Sequence, residues 1–170
     1  MIHVCSLARL DDTVDDTGAS HVVTLLRDIH LIAQLPPKRI ARKNHLIVGI
    51  DDVSFPTDGY THPCDEHLLQ LLDFVRAWDR AAPLVVHCYA GISRSTASAF
   101  TAVCALNPQR DEASIAQALR KASPTATPNE LIVALADRLL GRDGRMISAV
   151  AGIGRGEIAS EAEPFRLDLE

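Results

Sequence analysis

Cys88 and Arg94 stand with five residues between them in the run His87-Cys88-Tyr89-Ala90-Gly91-Ile92-Ser93-Arg94-Ser95. A phosphate group carries its charge on several oxygens, so a site for it needs donors converging from one side. A short loop curling into a helix N-terminus supplies them as backbone N–H groups, together with the positive end of the helix dipole. The amides of Tyr89, Ala90, Gly91, Ile92 and Ser93 would form that cradle. Gly91 allows backbone angles closed to other residues and lets a ligand come close. Arg94, in the first helical turn, can offer two parallel N–H bonds to two phosphate oxygens. The same inward donors favour the thiolate of Cys88, the nucleophilic form of a cysteine. Ser95 can donate to that sulfur when it leaves, and His87 can bond backbone near the cysteine to hold the loop in shape.

These residues need a rigid mount. The apolar run at 84–87 predicts a strand that delivers Cys88, and residues 94–106 predict a helix with Ala97, Phe100, Val103 and Cys104 on one face. Further strands are expected at 2–6, 21–26 and 45–50, the last apolar throughout, as when both faces of a parallel sheet are covered. A helical turn falls within 7–16. Between 64 and 80, apolar residues at 68, 71, 72, 75 and 78 keep a helical period, with Trp78 as core. A loop is expected at 36–39, a helix at 111–122, and a last one opened by the capping box Thr127-Pro128-Asn129-Glu130 with proline at its first position. Strands alternating with helices, then helices alone, predict an α/β fold: a central, mainly parallel sheet of four to five strands flanked by helices. The expected domain spans 1–142. Residues 143–170 read as a C-terminal extension, with a loop at Gly152–Gly156 and a solvated acidic tail.

The run from His87 to Ser95 resembles the signature His-Cys-x-x-Gly-x-x-Arg-Ser/Thr of the cysteine-dependent protein tyrosine phosphatase superfamily. It is most like the dual-specificity branch, where His-Cys-x-Ala-Gly-x-Ser-Arg-Ser is common, and every fixed position is matched. The likeness is looser across 45–140 and absent beyond 143. It implies a phosphate loop at the carboxyl end of a central strand, and hydrolysis of phosphate monoesters, first among them phosphotyrosine in proteins, with phosphoserine and phosphothreonine beside it. No Trp-Pro-Asp triplet occurs, which separates the chain from the larger tyrosine-specific enzymes.

Expelling an alkoxide or phenoxide needs a general acid, because the conjugate acid of the leaving group has a pKa near 10 or above. The resemblance implies an aspartate on a loop before the cysteine, and Asp51, Asp52 and Asp58 lie in the right stretch. Asp52 sits just past a strand end, where rigid backbone can aim it. Asp58 precedes Cys88 by thirty residues and is followed by Gly59. Asp52 is preferred and Asp58 is the runner-up. The chemistry expected is attack by Cys88 on phosphorus, then hydrolysis of the cysteinyl-phosphate, with no metal and no cofactor.

The composition fits this reading. At 170 residues and 18.4 kDa the chain suits one full-sized core. A net charge of −5 argues against nucleic acid as a partner, and no segment is long enough to span a membrane. No secretory leader is visible, and four cysteines at 5, 64, 88 and 104 match neither a disulfide framework nor a zinc site, so a cytoplasmic location is expected. The partner expected is a phosphorylated protein or another phosphomonoester. Cys104 reads as core. Cys64 could approach Cys88 and protect it as a reversible disulfide. The basic group Lys38, Arg39, Arg42, Lys43 and His45 reads as a solvated face. Alternatives are a phosphatase of a small molecule, nucleotide or RNA end, a phosphate-reading module without catalysis, and a sulfur-transfer enzyme.

Overall fold

The computed structural model describes residues 1–32, 37 and 39–169. β-Branched and leucine-rich runs become five strands: β1 (Ile2–Ser6), β2 (His21–Leu25), β3 (His45–Val48), β4 (Leu84–Cys88) and β5 (Phe165–Leu167). They form one sheet in the order β3-β2-β4-β1-β5, with the first four parallel and β5 antiparallel to β1. β4 is buried at all five positions because parallel neighbours flank it and helices cover both faces. Side chains alternate across it: Leu84, Val86 and Cys88 join the larger core, while Val85 joins the smaller one with Leu10 and Val14.

The helices are α1 (Leu10–Thr17), the single turn α2 (Ile29–Ile32), α3 (Asp65–Ala77), α4 (Arg94–Leu106), α5 (Glu112–Ala122), α6 (Glu130–Leu139) and α7 (Arg145–Ile153). α1 covers one face of the sheet. On the other lies α4, buried at every position from Arg94 to Cys104. Its small residues Ser95, Ala97, Ser98, Ala99 and Ala102 let it lie directly on the strands, and α3, α5 and α6 close around it. Phe100 fills the space between at 0% exposure; cutting such a residue to alanine costs about 3–5 kcal/mol.

Three expectations need correction. α6 starts at Glu130, and its cap is Asn129, whose Oδ1 accepts from the Ile132 N–H at 3.1 Å, so Thr127 and Pro128 stand outside the helix. The acidic tail expected at the end of the 143–170 extension is solvated only in part. Phe165 and Leu167 are buried with Arg166 exposed between them, and that alternation docks β5 against β1. Nor is 152–156 all loop, since α7 runs through Gly152 to Ile153. That helix has no capping side chain of its own. The Asp137 carboxylate in α6 accepts from the N–H groups of Gly144 at 2.7 Å and Met146 at 2.9 Å, and Met146 and Ala149 are buried. Of the loop expected at 36–39, Pro36 and Lys38 lie outside the described residues.

Candidate active site

β4 ends on Cys88, and the chain then turns through residues 89–93 into α4. The loop is held by its carbonyls. The Tyr89 oxygen accepts from the Leu7 N–H at 3.1 Å, Ala90 from Ala162 at 2.9 Å, Ile92 from Thr127 at 3.0 Å, and Ser93 from Ala97 at 3.0 Å and Asn129 at 3.4 Å. Gly91 has φ 75°, and a Cβ there would lie 2.9 Å from the Cys5 carbonyl carbon and the Ser6 nitrogen. The glycine therefore serves both a left-handed turn and a backbone-on-backbone contact with the end of β1.

Cys88 is buried at the base of this loop, with Sγ 3.2 Å from Ser95 Oγ. Arg94, 9% exposed, donates from Nη1 to the Ile50 carbonyl at 2.9 Å, and its Nε has no hydrogen-bond partner among the described residues. His87 Nε2 meets Thr24 Oγ1 at 2.7 Å, and the same hydroxyl meets His45 Nε2 at 2.7 Å. One hydroxyl carries one proton, so one imidazole donates and the other accepts. Burial, above all, pushes the His87 pKa down to about 3, so the ring is neutral.

The three aspartates sit in different surroundings. Asp51 closes the base of the loop that follows β3. Its backbone N–H donates to the Thr61 carbonyl at 2.8 Å, and its Oδ2 accepts from the Thr61 N–H at 2.7 Å and from Arg27 Nη1 at 2.8 Å. Partial burial works to raise its pKa, but the Thr61 amide and the Arg27 guanidinium outweigh it and hold the carboxyl below the usual range. Arg27 also donates to the Gly59 carbonyl at 2.8 Å, so one side chain fixes both ends of the loop. Asp52 faces the 89–93 loop: Oδ1 accepts from Ser93 Oγ at 2.7 Å and Asn129 Nδ2 at 2.9 Å, and Oδ2 lies 3.7 Å from Arg94 Nε. Asp58 lies in the exposed run 54–60. The structure thus brings Cys88, Arg94, Ser95 and Asp52 together and leaves Asp58 outside the group.

Residues 53–127 match the family model for Protein-tyrosine phosphatase, a span that includes the loop and α4. No curated protein sequence matches the chain. Several solved structures share its fold. DUSP15 aligns at TM-score 0.64 and 16% identity, covering 89% of this chain and 89% of that one. Human DUSP28 aligns at TM-score 0.62 and 21% identity, with 83% and 92% covered. The Cydia pomonella PTP-2 phosphatase aligns at TM-score 0.61 and 18% identity, with 81% and 84% covered. The chain thus shares the fold of these phosphatases, and its 87–95 loop lies within the span that matches the protein-tyrosine phosphatase model.

Several contributors to this site escape a reading of the sequence alone. Asn129 is 4% exposed and serves two neighbours at once, capping α6 through Oδ1 and holding Asp52 through Nδ2. In the sequence it stood out only within the Pro128-Asn129 helix start, which resembles the dual-specificity pattern, and not as a partner of Asp52. Arg27, Thr24 and Ala162 gave no signal. Cys64 caps α3, with Sγ 3.1 Å from His67 Nδ1, and all four cysteines are free. Burial pushes the Cys5 and Cys104 thiols up to about 12, which fits core packing. Among the described residues no group of three or more His, Cys, Asp or Glu side chains could hold a metal ion, and no helix is long and apolar enough to cross a membrane.

Proposed function

We propose that the chain hydrolyses phosphate monoesters, with phosphotyrosine in proteins as its principal substrate and phosphoserine and phosphothreonine beside it, through a cysteinyl-phosphate intermediate. The observation that carries this is the grouping of one sulfur, one guanidinium and one carboxylate around a loop whose carbonyls at Tyr89, Ala90, Ile92 and Ser93 accept from other partners. Cys88 Sγ attacks phosphorus in line with the ester oxygen. The Arg94 guanidinium, whose buried Nε has no hydrogen-bond partner among the described residues, and the amides of residues 89–93 hold the equatorial oxygens. Asp52 gives its proton to the leaving oxygen as the P–O bond breaks. Water then attacks the thiophosphate and passes a proton back to Asp52. The S–P bond breaks, inorganic phosphate leaves, and Ser95 donates to the departing sulfur. Asp58, exposed and without a recorded contact to this group, takes no part.

An aromatic phosphoester suits the surroundings. Phe55, Tyr60 and Tyr89 are 70%, 56% and 63% exposed, on loops that follow β3 and β4 at the same edge of the sheet. An apolar ring can lie against such faces. The loop interior from Tyr89 to Ser93 carries no lysine or arginine to meet a second phosphate. The test is phosphate release from phosphotyrosine and phosphoserine peptides, with chelator present and vanadate as inhibitor. Vanadate-sensitive release from the tyrosine peptide is the expected result. Turnover of nucleotides or sugar phosphates alone would overturn the choice of substrate, and no turnover of any monoester would overturn the activity.

A further inference from the structure

From Gly154 to Pro164 the chain has no regular secondary structure, yet it is tied down along its length. The Gly154 carbonyl accepts from Arg120 Nη2 at 2.9 Å, the Gly156 N–H donates to Thr127 Oγ1 at 3.1 Å, and the Glu157 N–H donates to the Pro124 carbonyl at 3.0 Å. Gly156 lies so close to its neighbours that a Cβ there would stand 2.5 Å from the Thr125 carbonyl carbon. The segment then crosses to the phosphate loop. Ser6 Oγ donates to Glu161 Oε1 at 2.5 Å, and the N–H of Ala162, a residue 3% exposed, donates to the Ala90 carbonyl at 2.9 Å.

The last two contacts fall on a critical pair. A peptide unit is planar, and in its trans form the carbonyl and the following N–H point in opposite directions. Fixing the Ala90 oxygen outward therefore fixes the Gly91 N–H toward the interior of the loop. Gly91 in turn rests on the backbone of Ser6, whose hydroxyl is held by Glu161. Both sides of that backbone contact are thus bonded to neighbouring residues of one segment. The first phosphate-binding loop carbonyl, at Tyr89, is held by residue 7, and those at Ile92 and Ser93 by residues 127 and 129. At Ala90 the holder is the C-terminal segment.

We infer that this segment is a positioning strap for the phosphate loop: the Ala162 amide, backed by the Glu161–Ser6 bond, orients the Ala90–Gly91 peptide toward a bound oxyanion. The inference rests on reading that loop as the phosphate cradle. It assigns the C-terminal stretch, outside the span that matches the family, a direct part in anion affinity and turnover.

The test uses the full chain and three variants. Ala162→Pro removes the amide, Glu161→Ala removes the acceptor for Ser6, and Glu161→Gln keeps an oxygen there. Tungstate affinity, the rate of Cys88 alkylation by iodoacetamide at neutral pH, and kcat and KM on an aryl phosphate are measured beside thermal unfolding. A misaimed loop amide costs oxyanion stabilisation, so Ala162→Pro is expected to weaken tungstate binding and lower kcat/KM about tenfold or more. Glu161→Ala is expected to lose about threefold and Glu161→Gln to recover it, with the unfolding midpoint nearly unmoved. Unchanged affinity and alkylation in folded Ala162→Pro would overturn the strap. Should that variant not fold, an unaffected Glu161→Ala, or a Glu161→Gln that restores nothing, overturns it instead. An unmodified chain that turns over substrate while the variants match it leaves the phosphatase reading standing without the strap. One that binds tungstate through the strap yet releases no phosphate does the reverse.

Discussion

Asn129 Nδ2 lies 2.9 Å from Asp52 Oδ1, while the Oδ1 of the same asparagine caps α6 3.1 Å from the Ile132 N–H. One buried amide thus joins the start of a helix to the carboxylate nearest Arg94. Asn129→Ala removes both bonds. Loss of the cap is expected to lower stability by about 1 kcal/mol, read as a fall in the unfolding midpoint. Loss of the hold on Asp52 is expected to lower kcat about tenfold on an aryl phosphate with a poor leaving group, since misplaced catalytic groups cost rate steeply. Asn129→Asp keeps the cap and loses the donor, so it should recover the stability and not the rate. Recovery of both would show that Asn129 acts only as a cap.

The choice between the two acids has its own measurement. Asp52→Asn is expected to reduce kcat by about 10²–10⁴ on substrates with poor leaving groups, the usual worth of a general acid. The loss should shrink as the leaving group improves, because a good leaving group needs no proton. Asp58→Asn should leave the same series flat. A leaving-group dependence that appears only in the Asp58 variant would reverse the assignment.

Cys88→Ser is expected to abolish turnover and retain tungstate binding, because the cradle amides remain. Arg94→Ala should weaken both. Ser95→Ala, which removes the hydroxyl 3.2 Å from the sulfur, should slow breakdown of the thiophosphate more than its formation. Rapid-quench kinetics would then show a burst of released phenol followed by a slow steady state. A Ser95 variant without a burst would place that hydroxyl outside the second step.

His87 sets an acid limit on stability. Its folded pKa of about 3 lies below the ordinary 6.5, so the unfolded chain takes up a proton that the folded chain refuses. The contribution is complete above pH 6.5 and is lost as pH falls from there toward 3. By pH 4.5 the loss is roughly 2–3 kcal/mol, measurable as a fall in the denaturant midpoint between pH 7 and 4.5. His87→Gln should flatten that part of the profile. An equally steep profile in the variant would assign the acid sensitivity to other groups.

Chemistry that is contiguous in the chain was legible, and chemistry assembled from afar was not. The run from His87 to Ser95 carries the proposed nucleophile, the glycine and the arginine within one loop, so residue types and spacing were enough to nominate it. The strand leading to Cys88 and helix α4 followed from plain hydrophobic pattern. Asp51, Asp52 and Asp58 could be nominated but not ranked firmly, because what separates them is contact with Arg94, Ser93 and Asn129. α7 was missed because its capping group is Asp137, on the preceding helix. β5 spans three residues, too few for an alternation to stand out, and it pairs with the other end of the chain. The Ser6–Glu161 bond joins residues 155 apart, and the Ala162 contact is made by an amide that every residue but proline possesses.

β5 has one more effect on how the molecule behaves. By pairing with β1 it covers a row of backbone donors and acceptors that would otherwise face solvent at that margin of the sheet. Unpaired margins of this kind recruit other chains. A version cut back before Phe165 would therefore be prone to self-association and precipitation, with β1 as the sticky surface, even if the 89–93 loop kept its shape.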